Sequence, residues 1–241
     1  MKNTFLLFGL LLLLTLSSCT DNDDLATTEV YPENLLAYYP FSDNALNEVS
    51  LDHNGIVEGA ILASDIGNYE SSAFLFDGVD DVIEIAHSEE LNLSNDFTIS
   101  ALVKPEEIKT QTIIRKGTNT NGTGSWPYGV SFSGTGEIVF SLTTENGETL
   151  NQVRKQGYEI GEWLLITGVF KDSKMFLYVN GELEGFEIID GEKNTNSSPL
   201  LIGSRLGLPS DTFKGIIDEV RIYTSGLSES EVIELYNSLW F

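Results

Sequence analysis

The residues best suited to hold a ligand lie in one polar segment, Gly117-Thr118-Asn119-Thr120-Asn121-Gly122-Thr123-Gly124-Ser125-Trp126-Pro127-Tyr128. An indole or phenol face can stack on the C–H surface of a sugar ring while neighbouring amides bond its hydroxyls. Trp126, Asn119, Asn121 and Tyr128 therefore form the candidate ligand-binding set, because loops carried on a rigid scaffold commonly hold binding residues. The competing expectation is that Trp126 and Tyr128 fold back onto the core, and Tyr128 begins an alternating run that favours this. A second chemistry is offered by carboxylates. In Ile216-Ile217-Asp218-Glu219-Val220-Arg221-Ile222, strict alternation puts Asp218 on the face of Ile216, Val220 and Ile222. A carboxylate beside a core is costly unless paired, and one structural calcium, with six to eight oxygen ligands, is one way to pair it. Asp218, Asp52 and Asp43 are the candidate metal set, against the alternative that Asp218 accepts backbone N–H groups. Asp77-Gly78-Val79-Asp80-Asp81 also admits calcium, but the types and spacing suit a tight turn better.

Nucleophilic and acid–base chemistry has little to stand on. The chain has 2 histidines, His53 and His87, both in expected loops, and 1 cysteine. There is no phosphate loop, zinc spacing or dinucleotide fingerprint. With 37 acidic against 13 basic residues the formal net charge is -24, a surface that repels nucleic acid and anionic lipid.

The N-terminus carries a different signal. Lys2 precedes the apolar run Phe5–Leu16, which is too short for the roughly 20 residues a membrane-spanning helix needs and suits a secretory signal peptide. Leu16-Ser17-Ser18-Cys19 resembles the bacterial lipobox, in which the cysteine after the cut is acylated. The expectation is a signal peptide over 1–18, a lipidated acidic tether over 19–30 and a folded domain over 31–241, anchored to a bacterial outer membrane. An ordinary signal peptide with a coincidental cysteine is the alternative. The run Thr20-Asp21-Asn22-Asp23-Asp24 resembles the surface-export signal of Bacteroidetes-type lipoproteins and equally suits a solvated tether. The lone Cys19 excludes an intramolecular disulfide, so the core must hold the fold.

The elements that must position these side chains are strands. Phe97, Ile99, Ala101 and Val103 alternate with polar or small residues, as do Tyr128, Val130 and Phe132, and Ile138, Phe140 and Leu142. Further strands are expected near Leu36–Phe41, Ile56–Leu62, Ala73–Phe76, Val82–Ile85, Ile113–Lys116, Trp163–Phe170, Met175–Val179, Leu200–Gly203 and Ile216–Tyr223. Asn180-Gly181 and Asn146-Gly147 are hairpin turns in which both central residues take positive φ. Ser228 and Glu231 form a capping box that opens a short amphipathic helix. Many short strands separated by turn signals predict an all-β, two-sheet sandwich. Trp163 lies within a strand pattern and is expected in the core.

Six motifs in order resemble the laminin-G-like, concanavalin A-like jelly-roll family. They are Leu36-Ala37-Tyr38-Tyr39-Pro40-Phe41 with Asp52-His53-Asn54-Gly55; Phe76-Asp77-Gly78-Val79-Asp80-Asp81-Val82-Ile83-Glu84-Ile85; Phe97 to Pro105; Gly161-Glu162-Trp163; Phe176 to Gly181; and Gly215 to Tyr223 followed by Gly226-Leu227-Ser228. The resemblance implies two antiparallel sheets in a jelly roll, often a structural calcium, and glycan binding, adhesion or a passive role. Leu164 and Leu165 stand where family members often carry histidine. Glucanase relatives carry a Glu-x-Asp-x-x-Glu run, which is absent here. Lyase relatives need a Gln-x-His strand, which Gln111, Gln152 and Gln156 do not provide. The expected role is therefore a lipid-anchored, non-catalytic envelope module binding glycan. The alternatives are a surface-protein partner reached through Leu239-Trp240-Phe241, or a hydrolase or lyase.

Overall fold

Side chains that alternate every second residue need two apolar surfaces to meet, and two sheets provide them. The computed structural model describes residues 32–117, 126–144, 149–205 and 209–239. One sheet runs in the order β13 (Glu182–Ile188), β12 (Lys174–Val179), β11 (Leu164–Lys171), β6 (Phe97–Pro105), β15 (Lys214–Tyr223), β4 (Ala73–Asp77) and β3 (Ile61–Ala63). β1 (Leu35–Tyr39) also pairs with the long β15. The other sheet runs β10 (Thr149–Gln156), β9 (Glu137–Thr144), β8 (Tyr128–Phe132), β7 (Gln111–Lys116), β14 (Leu200–Ile202), β5 (Val82–Ile85) and β2 (Gly55–Glu58). All pairings are antiparallel.

The core between the sheets takes Phe97, Ile99, Ala101 and Val103 from β6, Tyr128, Val130 and Phe132 from β8, and Ile138, Phe140 and Leu142 from β9. The alternation thus predicts the inward face of these strands. A second apolar cluster lies on the opposite face of β6. There Leu102, Leu165, Tyr178 and Tyr223 pack against Val232 and Leu235 of the helix α1 (Glu229–Ser238). Trp163, half-buried, packs with this second cluster and not with the core between the sheets. The capping box forms as expected. Ser228 N–H donates to Glu231 Oε2 at 2.7 Å, and Glu231 N–H donates back to Ser228 Oγ at 3.4 Å. Asn180 and Gly181 have φ of 52° and 79°, the two positive values that this hairpin needs.

Two local expectations change. Ile56–Leu62 is not one strand: β2 and β3 belong to different sheets. The break falls at Gly59, whose φ is +83° and where a Cβ would lie 2.0 Å from Asp81 Oδ1, so only glycine lets the chain pass. The second change is a bulge in β15 between Asp218 and Arg221, with Glu219 at φ 52°. It adds a residue and reverses the alternation. Ile217, Val220 and Ile222 enter the core, and Asp218 does not share their face.

Candidate functional site

The outer face of the β10–β2 sheet differs from that of its partner, on which a helix, α1, packs. Along β8, β9 and β10 it presents Gly129 and Ser131, Val139, Ser141 and Thr143, and Gln152 and Arg154, in paired rows. Trp126 sits where β8 begins. Its carbonyl accepts from Thr143 Oγ1 at 2.6 Å, and Thr143 N–H donates to the Pro127 carbonyl at 3.1 Å. These bonds fix the backbone that carries the indole. Trp126 is half-buried. The Arg115 guanidinium carbon lies 3.8 Å from the indole centroid and that of Arg205 5.4 Å from it. Gly129, across from Arg115, leaves no room for a side chain: its Cβ would fall 2.9 Å from the Ile114 carbonyl oxygen.

Arg115 is 8% exposed, and its Nε and Nη2 have no hydrogen-bond partner among the described residues. Arg205 donates through Nη1 to Asp211 Oδ2 at 2.9 Å, while its Nε is likewise unpaired. Burial first, and then the Arg205 charge, pull the Arg115 guanidinium down to about 9, with Asp211 opposing. Next in the same strand, the wholly buried Lys116 contrasts with this. Its ammonium donates to the Asn196 carbonyl at 3.3 Å and Oδ1 at 3.2 Å, and to the Ser198 carbonyl. Beside Arg115 a crevice of about 10 Å³ is lined by Thr112, Trp126, Ser131 and Ser141, room for about one water. Further along the face Arg154 Nη1 donates to Glu137 Oε2 at 2.7 Å and Nη2 to Gln152 Oε1 at 2.6 Å.

Of the expected ligand set, Trp126 is on this face, and Asn119 and Asn121 lie outside the described residues. Tyr128 is a correction. It is 1% exposed, its ring lies 5.2 Å from that of Phe97, and its hydroxyl donates to the Leu91 carbonyl at 2.7 Å. Its alternation places it in the core, where it cannot touch a surface ligand. Arg115 and Arg205 were missed by sequence reasoning. The available signal was a charge inside the apolar strand pattern Ile113-Ile114-Arg115-Lys116.

The expected metal set does not converge. Asp218 lines a cavity of about 460 Å³ on the outer face of the other sheet, with Tyr38, Asp65, Tyr69, Glu219 and Arg221. It is 2% exposed, and its Oδ1 accepts from Glu219 N–H at 2.7 Å. Burial first, and then the Glu219 charge, push its carboxyl up to about 8; the backbone N–H and Arg221 only partly offset this. Asp43 and Asp52 are exposed, and Asp52 lends its backbone carbonyl to Asn47 Nδ2 at 2.9 Å. Asp43 and Asp52 needed the loop between β1 and β2 to fold onto Asp218 of β15; that loop closes on Asn47 instead, so the set does not fit calcium. Among the described residues, the one group of three acidic or metal-ligating side chains with ligand atoms within 4.8 Å is Asp77, Asp80 and Asp81. Two of these are already engaged in a turn: Asp77 Oδ1 accepts from Val79 N–H and Asp81 Oδ2 from Asp77 N–H, both at 2.7 Å.

Glu219 is held fast. It is ion-paired with Arg221, and the Tyr38 hydroxyl donates to its Oε1 at 3.0 Å and lies 3.1 Å from Oε2. His53 keeps to its turn, with φ of 62° and Nε2 2.8 Å from Ser88 Oγ.

Against known proteins, the family model of the concanavalin A-like lectin/glucanases superfamily matches residues 77–233. The binding domain of Paraclostridial Mosquitocidal Protein 1 superposes with a TM-score of 0.70 at 20% identity, covering 86% of this chain and 52% of that one. Domain 4 of AbnA, a GH43 extracellular arabinanase from Geobacillus stearothermophilus solved with arabinotriose, gives 0.67 at 21% identity, covering 84% and 98%. Adhesion G-protein coupled receptor V1 of Danio rerio is 28% identical over 149 residues, 58% of this chain and 2% of that protein. The chain therefore spans about half of the toxin domain and a small fraction of the receptor.

Proposed function

The chain belongs to the concanavalin A-like lectin/glucanases superfamily, and we propose that it is a non-catalytic binding module that captures glycan on the outer face of the β10–β2 sheet. The observation that carries this reading is the half-buried Trp126, fixed at the head of β8 beside Ser131, Ser141 and two guanidinium groups on the face opposite the one that α1 packs against. An aromatic ring flanked by hydroxyl and guanidinium donors meets both surfaces of a sugar, its C–H face and its oxygens. The arabinotriose bound to domain 4 of the arabinanase supports saccharide as the ligand class. Binding without turnover is supported by the state of the three carboxyls that line one cavity, Asp65, Asp218 and Glu219. Glycoside hydrolysis needs one carboxylic acid and one free carboxylate; Glu219 is locked between Arg221 and Tyr38, and Asp65 Oδ1 is taken by the Tyr69 N–H at 2.8 Å, so neither stands free beside Asp218.

The reading includes acylation at Cys19, so that the module is tethered at a bacterial outer membrane; labelled fatty acid that failed to reach Cys19 would remove that clause. Glycan capture is tested by polysaccharide pull-down with the whole chain and with Trp126→Ala. Saturable binding lost in the variant is the expected result. Equal retention by both places the ligand elsewhere, and no binding to any polysaccharide removes the reading.

A further inference from the structure

The unpaired guanidinium edge identifies the ligand more narrowly than the fold does. Arg115 Nε and Nη2 lie along one edge of the planar guanidinium and present two parallel N–H groups, the fork that donates bidentately to a carboxylate. Neither has a partner among the described residues, although the residue is 8% exposed. Leaving a buried charged group unpaired costs several kcal/mol in typical proteins. This chain does pair its other buried cations: Lys116 meets the carbonyls of Asn196 and Ser198, and Arg221 meets Glu219. Arg205, stacked on the same indole, has a second unpaired Nε. The one described carboxylate near the two guanidinium groups, Asp211, is ion-paired with Arg205 and not with Arg115. Among the described residues one positive charge of the pocket stays uncompensated, in a chain whose net charge is -24.

Resting on the binding reading above, we infer that the glycan this face receives carries a carboxylate, as a hexuronate does, and that Arg115 is the residue that selects it. Trp126 lies flat on the guanidinium, and the unpaired atoms are shielded from solvent. Admitting the carboxylate therefore slides the indole off Arg115, after which the ring stacks on the sugar. Sulfate esters can also meet the fork through two oxygens, but their tetrahedral head is bulkier than a planar carboxylate, and the crevice of about 10 Å³ beside Arg115 disfavours them.

The test is titration calorimetry of the whole chain at near-physiological salt with three probes: a hexuronate oligomer, a sulfated dextran of similar length and a neutral arabino-oligosaccharide. The expected result is saturable binding of the hexuronate, with a change in tryptophan fluorescence. Affinity should fall at least tenfold in both Arg115→Met and Arg115→Lys, since lysine keeps the charge but not the fork. Lys174→Gln, on the other sheet, removes the same charge and should leave binding unchanged. Near-UV circular dichroism confirms folding of each variant. Hexuronate binding indifferent to Arg115, or lost equally in Lys174→Gln, overturns the inference, as does preference for the sulfated probe. Binding of the neutral probe alone overturns it while the glycan-capture reading survives. Failure of all three probes together with every polysaccharide in the pull-down removes both.

Discussion

Two arginines of this sandwich lie against aromatic rings on opposite outer faces, and they are solved differently. Arg221 sits 4.2 Å from the Tyr38 centroid and is ion-paired with Glu219, whose carboxylate also accepts from the Tyr38 hydroxyl. Burial alone would lower Arg221, but Glu219 outweighs it and the guanidinium is held above its ordinary value. Arg115 sits 3.8 Å from the Trp126 centroid with no carboxylate of its own, and it is pulled down to about 9. The same stack serves as a closed structural joint on one face and stays open on the other. The difference lies in the surroundings. The first face carries α1 and a second apolar cluster beside a joint whose charges are matched, and the second keeps an unmatched charge that only something outside the described residues can satisfy.

The comparison breaks most visibly at the closed joint. Glu219→Gln preserves shape and strands Arg221, and should lower the unfolding free energy by about 3 kcal/mol in urea denaturation; a loss under about 0.5 kcal/mol would mean that the joint is not structural. Asp218, beside it, gives a pH signature. Its folded pKa of about 8 exceeds the unfolded value of about 3.9. Its contribution is therefore intact below about pH 4 and declines as pH rises toward 8, because the folded state resists giving up the proton. Asp218→Asn never ionises. Relative to wild type it should gain about 2 kcal/mol or more between pH 5 and pH 8, and parallel pH profiles would contradict the burial argument. At the open joint the sign reverses. Arg115→Met removes an unpaired buried charge and should leave stability unchanged or raise it by about 1 kcal/mol, while abolishing capture of the acidic sugar. A large destabilisation would show Arg115 to be structural like Arg221. The smallest effect is expected from Ser228→Ala, which removes the cap of the helix that packs on the closed face. It should cost about 1 kcal/mol in thermal unfolding and leave ligand binding untouched.

How much of the site could be read beforehand follows from these residues. Trp126 stood out because a large aromatic ends a polar, glycine-rich loop. Arg115 did not, since a single arginine in an apolar strand pattern looks the same whether it pairs or waits. Asp218 was recognised as a costly carboxylate, but its face was misjudged. The bulge rests on Glu219, a non-glycine residue at φ 52°, and nothing in its side chain announces that conformation.

The sequence by itself determined the architecture. Period-two alternation decides which side chains enter the core, Asn180-Gly181 supplies positive φ at a hairpin, and Ser228 with Glu231 caps the helix; each acts within a few residues of its own position. Tertiary structure alone decided which arginine is paired. Glu219 stands two residues from Arg221 in a strand that bulges there, whereas Arg115 meets Arg205 and Trp126 only through packing between segments apart in sequence, which no local pattern sets.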